Sequence, residues 1–168
     1  MTRPAAVVRP VRRHDLTAVA AIHRHYVLHS VATFDEVPRP LEDWERRADD
    51  LAARGLPFLV AEEADAVVGF AYAGPWRPKP AYRHTVEDTV YLAPGATGRG
   101  LGSALLGALV DACAAAGARS IVAVIAEPGG EASTALHRRH GFTDAGRLTG
   151  VGLKHGRTLD TVLLQRTL

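Results

Sequence analysis

The chain has 168 residues, 47% hydrophobic and 23% charged, which is enough for one domain with its own core and too apolar for a disordered or fibrous chain. A single cysteine, Cys113, excludes a disulfide framework and a cysteine-rich zinc site, and points to a reducing, cytoplasmic compartment. Net charge is only +2 and the arginines are scattered, so nucleic acid is a poor partner and an anionic small ligand a reasonable one. The opening residues hold no apolar run of signal-peptide length. The longest apolar stretch, residues 101–118, is interrupted by Asp111 and rich in Ala and Gly. It reads as a buried helix, not a membrane span.

In chain order, residues 7–12 are a short strand. Asp15 is placed to cap a helix in which Leu16, Val19, His23 and Tyr26 recur at helical spacing. A loop through Thr33-Phe34-Asp35 ends at Pro38 and Pro40. Pro40 suits the first turn of a second helix, with Leu41, Trp44, Ala48 and Leu51 as its apolar stripe and Gly55 as its stop. Residues 58–62 and 67–72 flank a tight turn and pair antiparallel; Gly74-Pro75 is expected to break the second of them. A proline-rich loop over 76–82 precedes a strand over 85–92. A glycine-rich turn, 95–102, then leads into a helix to about Ala116. The β-branched run 120–126 is a buried strand, parallel to the one before that helix. A short helix over 133–140 stops at Gly141, and residues 142–148 and 158–165 close the chain as an antiparallel pair. The order β-α-α-β-β-β-α-β-α-β-β describes one mixed-sheet α/β domain spanning residues 1–168.

The segment from Val90 through Gly98-Arg99-Gly100-Leu101-Gly102-Ser103 carries the most chemistry. A strand ends, a turn free of bulky side chains follows, and a helix begins. Unpaired N–H groups, the helix dipole and Arg99 together make a cradle for pyrophosphate. A nucleoside-triphosphate loop needs Lys-Ser/Thr after its last glycine, and Ser103-Ala104 stand there. A dinucleotide fold would carry the motif on its first strand, whereas about half of this chain precedes it.

This run resembles the acetyl-CoA pyrophosphate loop of the GNAT superfamily of N-acetyltransferases, with Thr97 where that motif has Gln or Arg. The segments at 30–35, 71–76, 81–91, 133–142 and 152–156 resemble those of the phosphinothricin and methionine sulfoximine acetyltransferases, in order and at matching spacing over nearly the whole chain. The resemblance implies a mixed, mostly antiparallel central sheet flanked by helices, acetyl-CoA as cosubstrate, no metal, and a homodimer. It implies that Val90, Tyr91 and Leu92 present main-chain groups to the pantetheine arm, while Gly98, Arg99, Gly100, Leu101, Gly102 and Ser103 receive the pyrophosphate. Two positions depart from the pattern: Gly130 stands where an asparagine often contacts the cofactor, and Thr158 where a tryptophan is common.

Acetyl transfer to an amine needs a base, alignment and charge stabilisation. Strand alternation puts Glu87, Thr89 and Tyr91 on one face and Val86, Asp88, Val90 and Leu92 on the other. Only one of Glu87 and Asp88 therefore faces the cleft, and the resemblance selects Glu87 as general base. His137 matches a histidine that recurs in the family and is taken as the second catalytic candidate, either facing the cofactor thiol or packing. Arg77, Lys79 and Arg83, on the loop leading to Glu87, suit an acceptor bearing a carboxylate and a phosphinate or sulfonyl-type oxygen. Phe34 is expected to wall that acceptor pocket. The reading is acetyl transfer from acetyl-CoA to the α-amine of a small amino acid or analogue. A GNAT enzyme for another small amine or a protein N-terminus is the alternative, and a non-catalytic acyl-CoA-binding module a further one.

Overall fold

A computed structural model describes residues 6–168; residues 1–5 of the opening segment lie outside it. Seven strands form one sheet in the order β1-β2-β3-β4-β5-β7-β6. They are β1 (Val7–Pro10), β2 (Phe58–Glu63), β3 (Ala66–Pro75), β4 (Thr85–Leu92), β5 (Ser120–Glu127), β6 (Thr143–Lys154) and β7 (Arg157–Thr167). Four helices flank them: α1 (Leu16–His29), α2 (Leu41–Ala53), α3 (Leu101–Ala115) and α4 (Glu131–Arg139). Every strand pairing is antiparallel except β4 with β5, as the β-branched run and the crossover helix require.

Alternation along the strands builds two cores, one on each face. Phe58, Val60 and Phe70 turn toward Leu16, Val19, Ile22, Trp44 and Leu51 of α1 and α2. Leu59, Ala61, Ala71, Ala73 and Val86 turn toward Leu105, Leu106, Leu109 and Cys113 of α3. The alanines bring α3 close to the sheet. A Cβ on Gly69 would sit only 2.7 Å from Leu92 Cδ2 and 3.1 Å from Leu105 Cδ1, so nothing larger fits beneath that helix. Fully burying a side chain such as Trp44 or Phe70 stabilises the fold by roughly 1.5–3 kcal/mol.

Several details depart from the sequence reading. Gly74-Pro75 do not break β3; the strand runs through them, with Gly74 opposite Glu87 and Pro75 opposite Val86. Asp15 does not cap α1. Its carboxylate accepts from the Arg12 main-chain N–H at 2.6 Å and is ion-paired with Arg9 at 2.8 Å, so it ties β1 to the helix entrance. The last two strands are longer than the apolar pattern suggested, because β6 continues outward as an exposed edge in which glycines alternate with Val151 and Leu153. Thr158 lies inside β7, opposite Leu153.

The feature that positions the site is the short parallel seam. β4 pairs with β5 only from Thr85↔Ser120 to Glu87↔Val122. β5 meanwhile stays paired with β7 along its full length. Beyond Glu87 the two central strands part, and a wedge opens in the middle of the sheet.

Candidate active site

Main-chain direction along β4 can be read from its hydrogen bonds. The Thr85 carbonyl accepts from Trp76, and the Ala93 N–H donates to Val68. Odd-numbered residues therefore bond toward β3, and the main-chain groups of Val90 and Leu92 point into the wedge. One of them already has a partner: the Tyr26 hydroxyl donates to the Leu92 carbonyl at 2.6 Å. Tyr91 points its ring into the α1–α2 face and donates its hydroxyl to the Ala32 carbonyl at 3.3 Å. Burial raises its phenol above the ordinary value. Of the expected strand residues, Val90 and Leu92 thus offer backbone to the wedge, whereas Tyr91 anchors the loop after α1.

The glycine turn forms at the mouth of the wedge. Gly98 and Gly100 have φ of +73° and +79°, with open space where a side chain would start. Both belong to a left-handed backbone that only glycine adopts at little cost. The first intrahelical bond of α3 runs from Ala104 to the Gly100 carbonyl, leaving the N–H groups of Leu101, Gly102 and Ser103 without helical acceptors. The turn is fit to receive an anion. Arg99 is differently placed from the expectation: its guanidinium makes an ion pair with Glu63 at 2.9 Å and fastens the turn to the β2–β3 hairpin. The Ser103 hydroxyl is 2.8 Å from His140 Nε2, which fixes the start of α3 to the end of α4. Gly130 precedes α4, and a Cβ there would collide with the Ala126 carbonyl and the Ile125 side chain. Only its main chain is free to contact a ligand.

Glu87 and Asp88 separate as alternation requires. Glu87 lies on the α1–α2 face. Burial and the neighbouring Asp88 charge raise its pKa, and Arg47 partly opposes them. Asp88 is buried on the α3–α4 face, where His137 Nε2 is 2.8 Å from its Oδ2. His137 Nδ1 donates to the Ser133 carbonyl at 2.7 Å, so both ring nitrogens have protein partners. Burial works against the imidazolium, but Asp88 and the Ser133 carbonyl outweigh it and raise the pKa. The pair pins α4 to β4 where the wedge begins.

The loop after α1 forms the outer wall, of which Phe34 is the part marked in the sequence. Phe34 packs on Gly152 of β6: a Cβ there would sit 2.6 Å from its ring carbons Cε2 and Cζ. Lys154, two residues on, is buried and donates to the Thr33 carbonyl at 2.7 Å. Burial lowers its pKa, offset by Asp35 and Glu36. Asp35 holds Arg39 at 2.9 Å and is 3.5 Å from the buried His23, whose pKa burial pulls down to about 4. Arg77, Lys79 and Arg83 do not gather around Glu87 in this structure. Arg77 stacks on Trp76 at 5.0 Å, Arg83 donates to the Pro80 carbonyl, and all three are exposed. The cation whose charge acts on Glu87 is Arg47 of α2, which lies in none of the sequence motifs.

Cys113 lies in the core under α3, where burial first and the Asp88 charge second push its thiol up to about 12. It is no nucleophile. No group of three or more His, Cys, Asp and Glu side chains among the described residues could hold a metal ion. No helix among them is long and apolar enough to cross a membrane.

Residues 20–142 match the acetyltransferase (GNAT) family. The chain is 44% identical over 168 residues to the phosphinothricin N-acetyltransferase of Alcaligenes faecalis, covering 100% of this chain and 85% of that one. It is 39% identical over 165 residues to the L-methionine sulfoximine/L-methionine sulfone acetyltransferase of Pseudomonas aeruginosa, covering 98% and 95%. Among solved structures, a GNAT superfamily phosphinothricin acetyltransferase from Sinorhizobium meliloti in complex with AcCoA matches with a TM-score of 0.93. That match has 43% identity over 97% of this chain and 88% of that one.

Proposed function

The chain belongs to the acetyltransferase (GNAT) family, and from that premise we propose that it acetylates the α-amine of a small amino acid or analogue, of the phosphinothricin or methionine sulfoximine kind, with Glu87 as general base. The observation that carries this reading is a half-buried carboxylate with a raised pKa at the point where β4 leaves β5. Such a group holds a proton more readily than an ordinary carboxylate and can take one from an ammonium near neutral pH.

Acetyl-CoA, the family's cosubstrate, supplies an acyl group already activated as a thioester. The residues present fit it. The N–H groups of Leu101, Gly102 and Ser103, freed by the turns at Gly98 and Gly100, would hold its pyrophosphate. The main chain of Val90 and Leu92 would hold the pantetheine arm as an added strand does. Glu87 then orients the acceptor ammonium and accepts its proton, and the buried face beneath it limits water. His137 acts as a positioning residue through Asp88, since neither ring nitrogen is left for a reacting atom. The inert Cys113 favours direct transfer over an acyl-enzyme. A cytoplasmic homodimer belongs to the same reading. The exposed outer strand β6, with Leu148, Val151 and Leu153 on its surface, supports a contact with a second copy.

The test is CoA release in steady state with L-phosphinothricin, L-methionine sulfoximine and L-methionine sulfone, beside an aminoglycoside, a polyamine and a peptide amine. Turnover confined to the amino-acid analogues is expected. Preference for the peptide or the polyamine would move the enzyme to the alternative acceptor class. Acetyl-CoA binding with no thiol release from any amine would make the chain a non-catalytic module.

A further inference from the structure

A pocket of about 300 Å³ lies between α2 and the end of β3, lined by Arg39, Asp43, Arg46, Arg47, Gly74 and Pro75 among others. Its connection to the base is geometric. Gly74 pairs directly with Glu87 across the β3–β4 ladder, and directly opposed residues project to the same face. Gly74 has no side chain, and nothing lies within 4 Å of where its Cβ would be. The pocket wall at Gly74 therefore lies on the same face of the sheet as the Glu87 carboxylate, with no side chain at Gly74 to screen one from the other.

The pocket's arginines are not equivalent. Arg39 is committed to Asp35 and Arg46 to Asp43. Arg47, among the described residues, makes no ion pair. It is half-buried, with its guanidinium carbon 5.2 Å from the centre of the Tyr72 ring. A guanidinium held over an aromatic face keeps its planar edge and N–H donors for a partner in that plane. It also acts electrostatically on Glu87.

We propose that Arg47 binds the carboxylate of the amino-acid acceptor, placing the α-amine at Glu87. This rests on the acetyltransferase reading above and deepens it by naming the residue that selects an acceptor bearing an α-carboxylate. An α-amino acid separates its ammonium from its carboxylate by two bonds to one carbon. Binding one end by Arg47 and the other by Glu87 thus fixes both the position and the identity of the nucleophile. Amines without a carboxylate would leave Arg47 unpaired in a half-buried site, and that selects against them.

The experiment compares L-methionine sulfone with its carboxamide in steady-state CoA release. The parent enzyme should prefer the acid. In Arg47→Gln the ratio of kcat/KM for acid over carboxamide should fall about 10–100-fold, the range for losing a charged hydrogen bond, and Arg47→Lys should recover part of it. The KM for acetyl-CoA should not move. An unchanged ratio in a folded Arg47→Gln would overturn the proposal, as would its collapse in Arg83→Ala and not in Arg47→Gln. A parent that turns over other amines but neither probe would remove the acceptor class itself. A parent that accepts both probes, with an unchanged ratio in the variant, would remove only the role of Arg47.

Discussion

Gly152→Ala tests whether the loop after α1 is part of the acceptor site. The new Cβ would lie 2.6 Å from two ring carbons of Phe34, and an unstrained carbon–carbon contact needs ~3.5 Å. The ring must therefore retreat by ~1 Å. Overpacking inside a core costs about 1–3 kcal/mol, but Phe34 is 41% exposed and its ring escapes toward solvent. The stability loss should stay below about 1 kcal/mol, or a melting shift of roughly 2–4 °C for a chain of this size. Catalysis should suffer more, because a ~1 Å misplacement of a positioning group costs up to about 10²-fold. Steady-state assays should show kcat/KM for the acceptor reduced 10- to 100-fold with the acetyl-CoA KM unchanged. Scanning calorimetry supplies the control. Full acceptor kinetics in the variant would refute the reasoning and return Phe34 to a packing role.

Other substitutions probe the remaining parts of the site. Glu87→Gln should lower kcat/KM by roughly 10²–10⁴-fold. A pH–rate series should show the parent rising through a carboxylate pKa raised by burial and Asp88, and the variant losing that limb, with the deficit shrinking as the free amine becomes available at high pH. Gly100→Asp places a carboxylate at a left-handed position beside the α3 N-terminus. The left-handed backbone costs an aspartate about 1–2 kcal/mol, which the fold should survive, while acetyl-CoA affinity by calorimetry falls ~100-fold or more, since like charges brought together cost several kcal/mol. His137→Gln should destabilise the protein most in acid. The His137 pKa is raised on folding, so its contribution is complete below the ordinary histidine value of about 6.5 and fades as pH climbs through the raised one. Melting curves from pH 5 to 9 should show the gap to the parent narrowing, and a constant gap would dissociate the pair from the titration.

Much of this site was legible because it rests on local chemistry. The turn at Gly98 and Gly100 needs glycines for its backbone, and strand alternation alone separates Glu87 from Asp88. The two strand ends differ in cause: β6 is an edge strand that needs no apolar pattern to pair, while Gly74 and Pro75 pair with β4 after β2 has ended, so the proline nitrogen faces a side with no ladder to break. Residues that act across long chain separations left no local signal. Lys154 reaches Thr33 and Asp88 reaches His137 through contacts that the fold creates, and the Arg47 charge acts on Glu87 from another element. A lysine in an otherwise lysine-poor sequence was the one available hint for Lys154. The charges at Arg77, Lys79 and Arg83 were conspicuous by adjacency to Glu87, yet adjacency along a loop does not bring side chains to a carboxylate.

The brevity of the β4–β5 seam has a mechanical consequence. The sheet is continuous by strand order, but its two halves share only three register pairs. β1 to β4 carry α1 and α2, β5 to β7 carry α4, and the core under α3 reaches from Ala71 to Ile121 and Leu164 across the seam. The His137–Asp88 pair and the contact of Ser103 with His140 act as rivets beside that seam. Breathing of the native state should thus concentrate there as a hinge between two stiff shells. A ligand lying in the wedge touches both shells at once, so it would brace the protein in the way a keystone braces an arch.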